Sequence, residues 1–274
     1  MSLFQPFDPD DFPGRKRIRQ LQQVPIRAVL PNLVTLFALC AGLTAIRMAI
    51  EQRFALAIAF IAIAAALDGI DGRMARFLKS TSRFGAELDS ITDFLNFGVA
   101  PAVLVHVWAL ADLSSLGWMA ALIFAICAAL RLARFNAALD ADGLPEWTAS
   151  YFVGVPAPAG AMIVMLPLYV ELIGVAHGPL TGPVVFVYTI AVGILMVSKV
   201  PTWSGKLVGR RMRRDLVAPL FVSGVLTVAF LLSFPFETMT VLSLAYLGSL
   251  PLSWRAYQRR QHRESRDDAP AGPT

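Results

Sequence analysis

The sequence predicts an all-α membrane protein: a polytopic bundle of about eight transmembrane helices preceded by a short N-terminal interfacial helix. The first observation is composition, since 56% of the 274 residues are hydrophobic and only 16% are charged. Soluble domains contain about 45–50% apolar and about 25% charged residues. The second observation is that the apolar residues form successive runs of roughly 20, the length of a membrane-spanning helix. A soluble domain with a single anchor is therefore excluded.

Eight apolar segments are long enough to be predicted as spans. Polar, charged or Pro/Gly-containing stretches separate each of them from the next. Their boundaries are set to within a few residues. The predicted spans cover residues 30–49, 53–75, 86–109, 116–136, 156–176, 181–200, 216–234 and 237–254.

The basic residues set the orientation, because Lys and Arg in loops favour the cytoplasmic side. With the N-terminus inside, all of the 24 Lys and Arg residues except Arg47 and Arg53 fall in cytoplasmic segments. We therefore expect a multi-pass protein of the inner (cytoplasmic) cell membrane with both termini in the cytoplasm. Topology and headgroup contact also explain the net charge of +5. No nucleic-acid partner is expected.

Four aspartates lie where apolar spans tolerate them least. Asp68 and Asp71 are three residues apart and close the second span on one helix face. Asp89 and Asp93 are four apart and open the third span, again on one face. The polar connection 77–84 is short, so the two spans are antiparallel neighbours and all four carboxylates can converge.

Carboxylates this close repel one another unless cations hold them together. Their oxygens suit hard divalent ions such as Mg²⁺, Mn²⁺ or Ca²⁺. Because two neighbouring helices supply four of them, the pattern predicts a two-metal site at one end of the bundle.

Glycines surround the acids at Gly69, Gly72 and Gly85. Glycine inside a helix costs about 1 kcal/mol relative to alanine. Three at one site indicate either a ligand that approaches the backbone closely or tight helix packing. Gly72 and Gly85 flank the acids, which favours the ligand, whereas both readings stay open for Gly69. Arg76 can turn its guanidinium toward a phosphate, and a lipid-headgroup anchor is the alternative.

A cation transporter or channel is the alternative from another functional class. Such proteins place their acids near the bilayer midplane or along a relay. Here the aspartates gather at one end, and away from that end only Glu171 lies well inside a predicted span. Since no path of acids crosses the membrane, metal-assisted chemistry is favoured over transport.

The residues around the acids also match a family signature. They read Asp68-x2-Asp71-Gly72-x2-Ala75-Arg76-x8-Gly85-x3-Asp89-x3-Asp93. This pattern resembles the signature of the CDP-alcohol phosphatidyltransferases, with no departure at any fixed position. The resemblance implies cleavage of a CDP-alcohol by an acceptor hydroxyl, with CMP leaving, assisted by two divalent ions, Mg²⁺ or Mn²⁺.

The resemblance also implies roles for individual residues. Asp68, Asp71 and Asp89 would be metal ligands. Asp93 would be a ligand and the general base for the attacking hydroxyl. Helix capping is an equal alternative for Ser82 and for Asn32. The residues expected to contact the CDP-lipid are Gly72, Arg76, Ser82, Gly85, and, from a Pro-Asn-x-x-Thr element that resembles the family's, Asn32 and Thr35.

Further segments resemble the phosphatidylserine synthase branch of that family, which implies CDP-diacylglycerol and L-serine as substrates. Asn96, where serine was expected, is one departure. The segments that carry this resemblance are 87–90, 96–101, 131–136, 154–158 and 197–201.

A zwitterionic acceptor needs a cation for its carboxylate and an acceptor group for its ammonium. Arg131 and Arg134 share a helix face and could bind the carboxylate, with Asn136 and Glu87 as further polar contacts. The two arginines could equally be positive-inside anchors. Acceptors that carry phosphate would also favour two arginines. Glycerol 3-phosphate, inositol phosphate and choline therefore stay open as alternative acceptors.

The resemblance covers residues 30–206, which we expect to form the catalytic membrane domain. Residues 1–29 would be a cytoplasmic tail, within which 14–28 mix basic and apolar positions as interfacial helices do. Residues 207–256 would add two spans, and 257–274 a basic cytoplasmic tail. Membrane lipids are expected partners, and the resemblance implies a homodimer.

Overall fold

The structure, a computed structural model, describes residues 26–78, 82–139, 151–198, 200–203 and 214–267. Most of the predicted interfacial helix, 14–28, lies outside the described residues, and so does the segment 140–150. The ten helices of the described part are α1 Ile26–Ile50, α2 Phe54–Phe77, α3 Arg83–Asp93, α4 Ala100–Val105, α5 Ser114–Leu139, α6 Ala157–Val164, α7 Leu166–Leu172, α8 Thr181–Val197, α9 Arg214–Ser233 and α10 Pro235–Asp267.

Irregular turns join some of these helices into longer rods. A π-helix, Phe94–Val99, continues α3 directly into α4. A second π-helix, His106–Leu110, and a 3-10 turn, Ala111–Leu113, then lead toward α5. The predicted third span is therefore one rod made of several pieces. The predicted fifth span is divided into α6 and α7, because Pro167 in the first turn of α7 has no backbone N–H to continue the α6 ladder.

The described residues form a helical membrane bundle, as predicted. Three helical stretches are long and apolar enough to cross a membrane, Val29–Ile50, Phe54–Phe77 and Arg83–Ala137. The shorter apolar helices are Thr181–Val197 and Ala218–Ser233. Every predicted span coincides with helix, but the fifth and eighth are not among these stretches. The number of eight spans therefore stays a prediction.

The described residues are almost entirely helical, as the all-α prediction requires, and one short ribbon accompanies the helices. Strand β1, Tyr151–Val153, pairs antiparallel with β2, Pro201–Trp203. Gly154 follows β1 with φ +80°, a left-handed conformation that turns the chain into α6. A side chain there would collide with the carbonyl oxygen of Met196. The ribbon closes the end of the bundle where α5 and α8 finish.

Small residues bring α1 and α2 together. Buried alanines recur at every third or fourth position along one side of α1, and such small side chains let helix backbones approach closely. Ala57 and Ala64 of α2 are also fully buried, and α1 and α2 pack against each other along their length. The end of the bundle at which α2 carries Asp68 is called the acidic end. The buried alanines of α1 are Ala38, Ala41, Ala45 and Ala49.

The main core includes one face of the α1–α2 pair. It joins this pair to the first π-helix, α4, α5, α6, α7 and α8 through side chains that are removed from the surface. The side chains of 218–230 in α9 are all exposed in the single chain, as expected for contact with lipid. The largest buried core residues include Phe97, Leu104, Phe124, Tyr169 and Met196.

Candidate active site

Three of the four aspartates form a compact cluster. Asp68 and Asp71 come from the last turns of α2, and Asp89 comes from α3. One carboxylate oxygen from each lies within 4.8 Å of the others. Asp71 is almost completely buried, at 3% exposure, between α1 and α2. The helix spacing and the short connection thus produce the convergence that the sequence indicates.

Asp93 lies one helical turn deeper on α3. Its carboxyl group adjoins that of Asp68. Its Oδ1 atom is buried and has no hydrogen-bond partner among the described residues. A buried acceptor left unpaired costs about 1–3 kcal/mol, and more if it is charged. The Asp93 carboxyl group therefore lies beside the cluster, and its Oδ1 atom can still accept a hydrogen bond or bind a metal ion.

No described basic side chain compensates these acids. The ion pairs of the described part of the chain involve Glu51 and Glu171, not the aspartates. Removing charged groups from water without a partner costs several kcal/mol each. An all-oxygen donor set of this kind fits hard divalent ions such as Mg²⁺ and Mn²⁺. The residues present therefore fit the metals that the sequence predicts.

Thr35 connects α1 to the cluster. Its hydroxyl donates to Asp71 Oδ2 at 2.7 Å, and both residues are buried. The Pro31 carbonyl also lies 3.1 Å from the same hydroxyl. The structure thus places Thr35 directly on a predicted metal ligand.

A cleft of about 450 Å³ opens beside the cluster. Asp71 and Asp89 form part of its wall. Ala75 and Ala86 also line it, although no role was predicted for them, and their small size beside Gly72 and Gly85 was the available signal. All six residues predicted to contact the CDP-lipid line the cleft: Asn32, Thr35, Gly72, Arg76, Ser82 and Gly85.

The three glycines differ in what surrounds them. Nothing lies within 4 Å of the position that a Cβ atom would take at Gly69 or Gly72. Among the described residues, no helix therefore packs tightly against Gly69. At Gly72 the backbone of α2 is open to the cleft. At Gly85 a Cβ would lie 2.8 Å from Asn32 Oδ1. Because Gly85 has no side chain, the Asn32 side chain can pack against the start of α3.

Local hydrogen bonds define three more cleft residues. Ser82 caps α3, because its Oγ accepts from the Gly85 amide at 3.0 Å while the residue also lines the cleft. Asn32 lies inside α1, which begins at Ile26, so the capping alternative for Asn32 is wrong. Arg76 Nε donates to the Gly72 carbonyl at 3.0 Å, which holds the side chain along its own helix.

The two arginines predicted to bind the acceptor hold backbone carbonyls. Arg131, at 5% exposure, donates from Nε to the Val155 carbonyl at 3.2 Å. Arg134 Nη1 donates to the Val197 carbonyl at 2.7 Å. These contacts join the end of α5 to the chain around the ribbon. Three segments that resemble the phosphatidylserine synthase branch, 131–136, 154–158 and 197–201, therefore meet at one place.

The other predicted acceptor residues lie apart from the cleft wall. Asn136 Nδ2 donates to Ser90 Oγ at 2.9 Å and so ties α5 to α3 next to Asp89. Glu87 is exposed. Ser90 was not predicted individually, although it belongs to a segment of the branch resemblance. None of Arg131, Arg134, Asn136 and Glu87 lines the cleft, so their role stays a prediction.

Comparison with known proteins agrees with this geometry. A sequence model described as CDP-alcohol phosphatidyltransferase matches residues 28–200, and one described as CDP-alcohol phosphatidyltransferase 2 matches residues 215–251. The first match contains every aspartate of the cluster and the whole cleft lining.

Three relatives share the name CDP-diacylglycerol–serine O-phosphatidyltransferase. The protein from Mycobacterium leprae is 39% identical over 231 residues, which cover 82% of this chain and 74% of the relative. The one from Mycobacterium tuberculosis (strain ATCC 25618 / H37Rv) is 38% identical over 251 residues, 88% of this chain and 84% of the relative. The one from Bacillus subtilis is 36% identical over 172 residues, 62% and 88% respectively. This chain belongs to the CDP-alcohol phosphatidyltransferase family.

Proposed function

We propose that the protein transfers the phosphatidyl group of CDP-diacylglycerol to the hydroxyl of L-serine, giving phosphatidylserine and CMP. Family membership supports a CDP-alcohol substrate, and the relatives' shared name supports serine as acceptor. The single observation that carries the proposal is the acid cluster itself. It opens into a cleft lined by all six residues predicted to contact the CDP-lipid.

The proposed setting is the inner cell membrane, crossed eight times, with both termini and the acidic end on the cytoplasmic side. The distribution of Lys and Arg along the chain supports this orientation. Serine is water-soluble, and CDP-diacylglycerol carries a water-soluble nucleotide headgroup. A site at the cytoplasmic surface therefore suits both substrates. We further propose a homodimer, on the family resemblance alone.

Asp68, Asp71, Asp89 and Asp93 would hold two divalent ions, Mg²⁺ or Mn²⁺. Bound there, such ions would neutralise the pyrophosphate and stabilise the charge on departing CMP. Gly72 lets the pyrophosphate approach the α2 backbone, because no side chain occupies that part of the cleft. Arg76 adds positive charge to the same wall.

Asp93 acts as the general base. Its carboxylate takes the proton of the serine hydroxyl as the serine oxygen attacks the phosphorus of the phosphatidyl group. A new P–O bond forms, and the bond from that phosphorus to the bridging oxygen breaks. The electron pair leaves with CMP. The Oδ1 atom of Asp93 supports this role, because it is buried and has no hydrogen-bond partner among the described residues.

Serine would be held at the junction of α5 with the ribbon. A guanidinium has five N–H donors, and the structure records one carbonyl partner each for Arg131 and Arg134. Their remaining donors would bind the serine carboxylate. Asn136 and Glu87 would contact the ammonium side. Glycerol 3-phosphate, inositol phosphate or choline is the alternative acceptor.

A competition experiment tests the acceptor. Purified protein receives CDP-diacylglycerol with equimolar labelled serine, glycerol 3-phosphate, inositol phosphate and choline, in Mg²⁺ and separately in Mn²⁺. We expect phosphatidylserine as the dominant product, and at least about 10²-fold less of it with Asp93→Asn. A different phospholipid would reassign the acceptor while keeping the family chemistry. No lipid product in either metal would reject the proposed function.

A further inference from the structure

We propose that Thr35 is a positioning residue that orients the Asp71 carboxylate for divalent metal, rather than a contact to the CDP-lipid. The proposal rests on the metal-dependent function proposed above. It starts from one hydrogen bond, the 2.7 Å donation from the Thr35 hydroxyl to Asp71 Oδ2. Thr35 is 4% exposed and Asp71 3% exposed, so water competes little for this bond.

The bond joins two helices that are independently fixed. Helices α1 and α2 pack against each other along their length, so Thr35 meets Asp71 at a set distance. Threonine in a helix usually satisfies its hydroxyl on the carbonyl four residues earlier. The Pro31 carbonyl is available for this at 3.1 Å, yet the Asp71 oxygen lies closer. A carboxylate is the stronger acceptor, so the proton is directed to Asp71.

The consequence for Asp71 is a fixed carboxylate plane. Two carboxylate oxygens offer about four lone-pair positions, and Thr35 occupies one of them. The rest remain for a metal shared with Asp68 and Asp89, whose oxygens lie within 4.8 Å. Partners that orient metal ligands in this way contribute about 10–100-fold to metal affinity or activity.

Thr44 provides a matched control on the same helix. Its hydroxyl donates to the Cys40 carbonyl at 2.7 Å, the same four-residue bond that Pro31 offers to Thr35. Among the described residues it has no hydrogen bond to a carboxylate. Thr44→Val therefore removes a helical hydroxyl without touching the acidic cluster, whereas Thr35→Val removes one that holds a ligand. Thr35→Ser keeps the donor.

The experiment measures Mn²⁺ binding to the purified full chain without lipid, by the electron paramagnetic resonance signal of free Mn²⁺. We expect Thr35→Val to weaken Mn²⁺ binding about 10–100-fold, with Thr35→Ser and Thr44→Val close to wild type. In turnover, Thr35→Val should need more metal for half-maximal rate, with KM for CDP-diacylglycerol unchanged at saturating metal. This readout stands even if the acceptor proves not to be serine.

Three results would overturn the inference. Unchanged Mn²⁺ affinity in Thr35→Val, with a raised KM for CDP-diacylglycerol, would make Thr35 a substrate contact. An equal loss in Thr44→Val would show a general effect on α1. Failure of Thr35→Ser to restore binding would mean that the methyl group, not the hydroxyl, is what matters.

Discussion

Carboxylates lie within apolar helices at both ends of the bundle, but the two ends differ in whether the protein supplies partners for them. At the end away from the acidic cluster, Glu171 of α7 accepts from Trp108 Nε1 at 3.0 Å and pairs with His177 Nδ1 at 2.7 Å. Both of its oxygens are satisfied by this chain. At the acidic end, Asp68, Asp89 and Asp93 have no described basic partner.

The difference separates a structural carboxylate from one that awaits a ligand. The Trp108 and His177 rings also meet edge to face, with centroids 5.9 Å apart, so Glu171 belongs to a packed local network. A carboxylate paired in this way stabilises the fold and has little capacity for a metal. The aspartates retain that capacity, and their repulsion makes a cation the expected stabilising partner.

Removal of divalent metal should produce the largest contrast between the two ends. We expect chelation with EDTA to bring phosphatidylserine formation below detection, and Mg²⁺ or Mn²⁺ to restore it. Metal should also raise the unfolding temperature, because a ligand that binds only the native state stabilises it. Glu171→Gln should keep that metal-dependent shift. Full activity after exhaustive chelation would contradict the metal site.

Asp93→Asn should have the next largest effect. The amide cannot take the proton from serine, and losing a well-placed base costs about 10²–10⁴-fold in turnover. CDP-lipid binding and most metal binding should remain, because Asp68, Asp71 and Asp89 cluster without it. Release of labelled CMP gives the rate, and equilibrium binding gives the affinity. Normal turnover would remove Asp93 from the role of base.

Gly72→Leu should lower activity less, by filling the cleft. Crowding a fitted surface costs about 1–3 kcal/mol, and 1.4 kcal/mol is about tenfold in affinity. We expect KM for CDP-diacylglycerol to rise about 5- to 140-fold on this basis. Gly69→Leu is the matched control, since the same helix has equal space there outside the cleft lining. Equal losses in both variants would refute a specific role for Gly72.

Trp108→Phe should have the smallest effect and should act on stability alone. It removes one donor to Glu171 and also part of a buried ring. The loss should be at least about 1 kcal/mol of unfolding free energy, the usual net worth of one hydrogen bond, with a further cost for the smaller ring. Thermal unfolding in detergent measures it, alongside unchanged kinetic constants. A large fall in activity would show that the two ends are coupled.

Much of the site could be predicted because it depends on local spacing. Asp68 and Asp71 share a face whatever the rest of the chain does, and the short connection keeps Asp89 of α3 within reach of them. Gly72, Arg76, Ser82 and Gly85 belong to these two helices and their connection. Asn32 and Thr35 come from α1, and the family resemblance, not local spacing, placed them at the same cleft.

The features that could not be predicted depend on contacts between distant segments. The bond from Thr35 to Asp71 requires the register of α1 against α2, and nothing local sets that register. The binding of Arg131 to the Val155 carbonyl requires the ribbon, whose strands of three residues give no periodic signal. The division of the fifth segment follows from Pro167, which the search for long apolar runs did not weigh.

The π-helix that follows Asp93 has a consequence for how the protein can vary. A π-turn accommodates one residue more than an α-turn. Deleting a single residue from Phe94–Val99 should therefore restore ordinary winding and leave the buried face around Leu104 in phase with Asp89 and Asp93. Deleting one residue from the regular turns of α4 instead would rotate everything after it by about 100° relative to the carboxylates. The π-helix is therefore the part of this rod that should best tolerate a change in length.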